Sequence, residues 1–71
     1  MIKELDPVVL TCDIPSHSLK EGDIGTVVLE HRGEGFEVEF VALDGDTLAV
    51  VALAAEQVRA VWEMPHARAV G

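Results

Sequence analysis

Cysteine is nearly missing from this sequence, and long apolar runs are missing altogether. The single cysteine, Cys12, has no partner for an intrachain disulfide, which fits a reducing compartment. The longest apolar run, residues 48–55, has eight residues, whereas a membrane-spanning helix needs roughly 20. The first residues are polar and acidic, without the basic start and apolar stretch of a secretory signal. These absences predict a cytoplasmic protein without a membrane span.

Basic residues are scarce as well. Five Lys and Arg stand against thirteen Asp and Glu, for a formal net charge of −8. The bases are scattered singly, at Lys3, Lys20, Arg32, Arg59 and Arg68. Binding to nucleic acid needs clustered cations, and an anionic membrane makes the same demand, so both are disfavoured. The acidic excess either serves solubility or forms an acidic face for a basic partner.

Motifs for catalysis and metal binding are missing too. Cys12 lies in an apolar strand, where a lone cysteine is usually a small buried hydrophobe rather than a nucleophile. His17, His31 and His66 are far apart and lack the spacing of zinc ligands. Asp44-Gly45-Asp46 has the composition of a hairpin turn rather than that of a calcium loop. We therefore expect no enzymatic activity, no metal and no cofactor.

What the sequence does contain is organised around residues 19–28, a turn that leads into a β-branched strand. Gly22 and Gly25 bracket Asp23-Ile24. Each glycine can take a positive φ or a crowded position that a side chain would forbid. Thr26 and the apolar residues that follow it fit a pleated, half-buried surface.

Short apolar segments separated by turn residues predict five strands, at residues 8–12, 24–31, 36–40, 47–53 and 58–62. Pro7 suits the first residue of an edge strand. One helical turn is expected at 54–57, before the last strand. The connections follow the order of an SH3-like barrel, so the predicted fold is a small all-β, five-stranded SH3-like barrel. It occupies one domain, residues 1–62, and 63–71 form a loosely held tail.

Two of these strands have informative side-chain patterns. The third alternates strictly, with Phe36, Val38 and Phe40 on one face and Glu37 and Glu39 on the other. This pattern predicts one face on the core and one in water. The fourth strand is apolar on both faces and should need cover on its second face as well.

The chain also resembles known families. Residues 19–28 resemble the glycine-bracketed turn and strand of small SH3-like barrels, such as KOW-type modules and the SH3-like domain of nitrile hydratase β subunits. Over nearly its whole length the chain resembles a family of small bacterial proteins known only as a domain of unknown function. That resemblance rests on the opening at residues 5–10, the glycine turn that follows it, the acid-rich strand at 36–40 and the close at 57–59. It implies a fold and no reaction.

The resemblance also suggests two kinds of partner. Some members of the family look as though they accompany small proteins in toxin–antitoxin-like pairs. KOW modules often contact RNA or ribosomal protein through basic and aromatic positions. This chain differs from them, because its strands carry Glu30, Glu37 and Glu39 and it contains no tyrosine.

Together these observations predict a non-catalytic protein–protein interaction module with a protein partner, possibly a basic one. The expected contact surface combines Glu30, Glu37 and Glu39 with His17 in the long loop and with Trp62. Trp62 could equally cap the barrel, since tryptophan is seldom fully buried. One alternative is the acidic, neutralising member of a toxin–antitoxin or immunity pair. A second, which the net charge disfavours, is a KOW-like module that binds RNA or the ribosome. Residues 48–53 could also form the seam of a homodimer.

Overall fold

The computed structural model of the chain describes residues 2–32, 34–42 and 44–63. They form one antiparallel sheet of five strands, and three-residue 3-10 turns occur at Pro15–His17, Ala55–Gln57 and Val61–Glu63. The strands are β1 (Pro7–Leu10), β2 (Ile24–Glu30), β3 (Gly35–Val41), β4 (Thr47–Ala54) and β5 (Val58–Ala60). Their order across the sheet is β4-β3-β2-β1-β5. The expected all-β class, with five strands and a helical turn before the last one, is confirmed.

Several boundaries differ from the prediction. β5 ends at Ala60, and Trp62 lies in a 3-10 turn instead of the last strand. β1 ends at Leu10, although the Thr11 backbone N–H still donates to the Gln57 carbonyl at 2.9 Å, in register with the pairing of Leu10 and Val58. Residues 64–71, which hold most of the predicted tail together with His66, lie outside the described residues.

Pro7 begins β1 as expected, but β1 is not an edge strand. It lies between β2 and β5, and Pro7 is paired with Thr26 of β2. The pairing with β5 starts one residue later, at Val8. Since Pro7 faces no residue of β5, the N–H that proline lacks is not needed on that side.

The core consists of apolar side chains from all five strands, and the long loop adds Ile14 and Leu19. Among the described residues no polar or charged side chain is buried. The most fully enclosed side chains are Leu10, Val8, Val27 and Val38. Burial of apolar area is therefore what stabilises this sheet. None of the helical turns in the described part is long and apolar enough to cross a membrane.

The turn at residues 19–28 uses its two glycines in the two expected ways. Gly22 has a φ of +96°, a conformation that side chains rarely allow. Gly25 is crowded instead: a Cβ there would lie 2.6 Å from Val38 Cγ1 and 2.8 Å from both the Glu39 carbonyl oxygen and Phe40 Cε1. Because Gly25 has no side chain, β2 can lie close against β3 at this point of the sheet.

β4 is covered on one face only within the described chain. Val51 and Leu53 point inward and are buried, whereas Leu48 and Val50 are 62% and 50% exposed. The second apolar face, for which the sequence predicts cover, is thus open to solvent. Its surroundings form the candidate site.

Candidate functional site

Glu37 and Glu39 project from the middle of a three-stranded surface. Because Phe36, Val38 and Phe40 are buried in the core, the alternation along β3 turns both glutamates outward. Directly opposite residues in antiparallel strands share a face. The register therefore surrounds the two glutamates with their cross-strand neighbours on β2 and β4: Thr26, Leu29, Val50 and Ala52. We call this surface, with its exposed neighbours on β2–β4, the outer face.

The outer face concentrates the exposed apolar surface of the protein. Eight large hydrophobic residues of the described chain are exposed, and six of them belong to β2, β3 and β4. They are Ile24, Val28, Leu29, Val41, Leu48 and Val50. Leu5 and Trp62 are the other two. A cluster of this kind on one sheet is typical of an interaction surface, whereas single exposed hydrophobic residues are ordinary.

One end of the outer face is concave. Ile24, Val41 and Leu48 line a shallow depression there, together with Leu19, Asp23 and Phe40. Leu19 comes from the long loop, so this depression joins the loop to the sheet.

Each central glutamate accepts one hydrogen bond within the chain. The Thr47 hydroxyl donates to Glu39 Oε2 at 2.7 Å, and His31 Nε2 lies 2.9 Å from Glu37 Oε2. Both members of the His31–Glu37 pair are more than a third exposed, so water screens their interaction. No Lys or Arg occurs in β2, β3 or β4. The outer face is therefore acidic and lacks strong cations of its own.

Glu30, the third predicted glutamate, does not join this pair. A β-bulge between Val27 and Leu29 shifts the register of β2 against β3. After the bulge Leu29 stands opposite Glu37, and Glu30 stands opposite the core residue Phe36. Simple alternation from Thr26 would have set Glu30 on the outer face. Because the bulge adds one residue to β2, Glu30 instead lies on the opposite face of the strand.

His17 lies in a loop that is held in place by local hydrogen bonds. It ends the 3-10 turn that begins at Pro15, and its Nδ1 lies 3.0 Å from the Ser16 hydroxyl. A bridge between Ile14 and Leu19 closes the loop beneath this turn. His17 is exposed, but it does not line the depression to which Leu19 contributes.

Trp62 is separated from the glutamates by the strand order. It follows β5, which lies at the opposite end of the sheet from β4, and the residue is 57% exposed. The structure thus unites Glu37 and Glu39 with apolar neighbours on β2 and β4. It leaves Trp62 and His17 on other parts of the molecule.

Groups that could support catalysis or hold a metal are dispersed. Cys12 is half-buried against the core, and its Sγ lies 3.8 Å from Gln57 Nε2. Within the ranges that the structure describes, no three His, Cys, Asp or Glu side chains are arranged to hold a metal ion. The absence of enzymatic activity stays a prediction.

Residues 4–60 match the model of a domain of unknown function, DUF4926. This chain is a member of the DUF4926 family. The match confirms the expectation of a family whose function is not known. Neither the curated proteins nor the solved structures contain a match to the chain.

The limits of the DUF4926 domain agree with the limits of the sheet. The match begins three residues before β1 and ends at Ala60, the last residue of β5. It includes Glu37, Glu39 and all of β4, whereas Trp62 lies beyond it. The outer face is therefore part of the DUF4926 domain itself.

The sequence gives no sign that Ile24, Val41 and Leu48 lie close together. The pairing of β2, β3 and β4 brings these three residues to one end of the outer face.

Proposed function

We propose that this DUF4926 domain is a non-catalytic protein–protein interaction module that binds a basic protein through its outer face. One observation supports this most directly: Glu37 and Glu39 lie among exposed apolar side chains on three strands that contain no Lys or Arg. Apolar contact supplies binding free energy, and the two carboxylates select a partner that carries Lys or Arg. An SH3-like barrel, which we propose from the order of the connections, is in keeping with a binding module, although fold alone assigns no function.

The charge of the whole chain favours the same kind of partner. A net charge of −8 attracts a basic protein at long range and repels polyanions. The described Lys and Arg side chains are exposed but separated in sequence, at Lys3, Lys20, Arg32 and Arg59. Binding of RNA in the KOW manner therefore has less support than binding of a protein.

A more specific form of the proposal is the neutralising member of a toxin–antitoxin or immunity pair. An acidic face would mask a basic surface of the toxin and speed the association of the two. Co-expression with the product of a neighbouring gene tests this form. Relief of that product's toxicity supports it, and undiminished toxicity argues against it.

The general proposal is tested by affinity capture of the tagged chain from its host at low and moderate salt, with mass spectrometry as the readout. The informative variant is Glu37→Gln/Glu39→Gln, which removes both charges from the outer face and keeps side-chain size. Its control is Glu4→Gln/Glu56→Gln, which also removes two negative charges, at exposed positions outside β2, β3 and β4.

We expect a stoichiometric basic protein that the wild type and the control retain and the outer-face variant loses, with weaker retention at moderate salt. Salt dependence follows from the screening of exposed charges. A partner held equally by both variants would contradict the role of the outer face. Recovery of RNA or ribosomal proteins in place of a single protein would favour the KOW-like alternative.

A further inference from the structure

The two edges of the sheet are protected very differently. β5 is three residues long, exposes Arg59 and runs directly into a 3-10 turn. Short length and a charged side chain are common ways to keep an edge strand from pairing with another chain. β4, at the other edge, has eight residues and none of them is ionisable or proline.

The free side of β4 is regular over most of its length. Its pairing with β3 has one irregularity, near Val41, and is regular from Ala49 to Ala54. Among the described residues β3 is the only strand paired with β4. Leu48, Val50 and Ala52 lie exposed along this edge. A long, uncharged apolar strand of this kind is a template for another strand.

We propose that the free edge of β4 pairs antiparallel with β4 of a second copy of this chain, about a two-fold axis at Val50. In this register Val50 stands opposite its counterpart, and Leu48 stands opposite Ala52 of the partner. A large side chain thus meets a small one on each side of the axis. The two sheets would join into one, and the outer faces would lie on the same side.

Charge permits a second copy at this edge, although it opposes one on the outer face. Stacking two outer faces would bring Glu37 and Glu39 against the same acids of the partner. Edge pairing keeps these residues one strand back on each side, about 14 Å apart across the seam at the usual strand spacing. This separation exceeds the Debye length of about 8 Å at physiological ionic strength, so the repulsion is largely screened. The strand at the seam has no charge of its own.

The test is the molar mass of the full chain, measured by sedimentation equilibrium over a range of concentrations. We expect a monomer–dimer equilibrium in the wild type. Val50→Lys places two ammonium groups at the axis and should raise the dissociation constant at least about tenfold. Val28→Lys is the matched control, because Val28 is also exposed but lies on β2, two strands from the edge. It should leave the dimer intact.

A second measurement does not depend on a destabilising charge. In a Cys12→Ala background, Val50→Cys should form an intermolecular disulfide under oxidising conditions, and Val28→Cys should not. A chain that is monomeric at every concentration overturns the proposal, and the edge would then be open to a strand of another protein. A dimer that Val28→Lys disrupts and Val50→Lys does not disrupt also overturns it.

The dimer proposal does not rest on the proposed function, and the two proposals predict opposite effects of salt. Screening the negative charge of the chain should strengthen the dimer, whereas it should weaken the binding of a basic partner. The salt dependence is measured on the wild type, so it does not rely on the Val50 variants, which stand opposite Glu39. Failure of the dimer therefore leaves the basic partner to be tested by itself.

Discussion

Replacement of Gly25 by alanine tests whether the close packing of β2 on β3 governs the stability of this fold. The added Cβ would lie within 3 Å of three atoms, and none of them can move easily. Val38 and Phe40 are 0% and 2% exposed, and the third atom is the backbone oxygen of Glu39. Gly25 is not among the residues with positive φ, so steric crowding alone sets the cost.

Overpacking a tight core costs typically about 1–3 kcal/mol, and three rigid contacts place Gly25→Ala near the upper end, at about 3 kcal/mol. A domain of this length has a free energy of unfolding of roughly 4–10 kcal/mol. The substitution should therefore remove a third or more of the stability.

The assay is equilibrium unfolding in urea, followed by circular dichroism and by tryptophan fluorescence. Gly45→Ala is the control, since Gly45 has a φ of +92° but nothing within 4 Å of an added Cβ. Gly45→Ala should lower the free energy of unfolding by about 1 kcal/mol, which is the cost of holding a side chain at a positive φ. A loss at Gly25 no greater than the loss at Gly45 would refute the argument from crowding.

Two further predictions concern the core and the long loop. Val38→Ala should lower the free energy of unfolding by about 2 kcal/mol, because it removes two methyl groups from a fully buried side chain. Val50→Ala, at a half-exposed position, should change it by less than about 0.5 kcal/mol in the same urea titration. Asp13→Ala removes the oxygen that accepts the Glu21 backbone N–H at 2.9 Å, and should cost about 1 kcal/mol and speed proteolysis of the loop. Asp13→Asn keeps an acceptor and should behave like the wild type; equal behaviour of both variants would show that this bond is unimportant.

Local patterns in the sequence predict the strands and the direction of most side chains. The alternation of Phe36, Val38 and Phe40 with two glutamates suffices to orient β3, because a strand has a period of two residues. The two roles of Gly22 and Gly25 also follow from the glycines that bracket a turn. These features depend on neighbours along the chain.

Features that depend on pairing between strands cannot be predicted from local patterns in the sequence. The bulge at Val28 leaves no signal in a run of apolar residues, so alternation along β2 does not show that Glu30 stands opposite the core residue Phe36. The position of β1 inside the sheet depends on β5, which is distant in sequence, and Pro7 by itself suggests an edge. The apolar second face of β4 is evident from the sequence, but the solvent exposure of Val50 depends on the whole fold.

The order of the strands also divides the chain by the way it folds. β2, β3 and β4 follow one another and pair through short turns, so this meander can form from local contacts. β1 pairs with β5 near the other end of the domain, where Val8 meets Ala60, and this contact must close a long loop. The outer face lies entirely on the meander. The surface that we propose for binding can therefore change through mutation while the long-range pairing of β1 with β5 stays as it is.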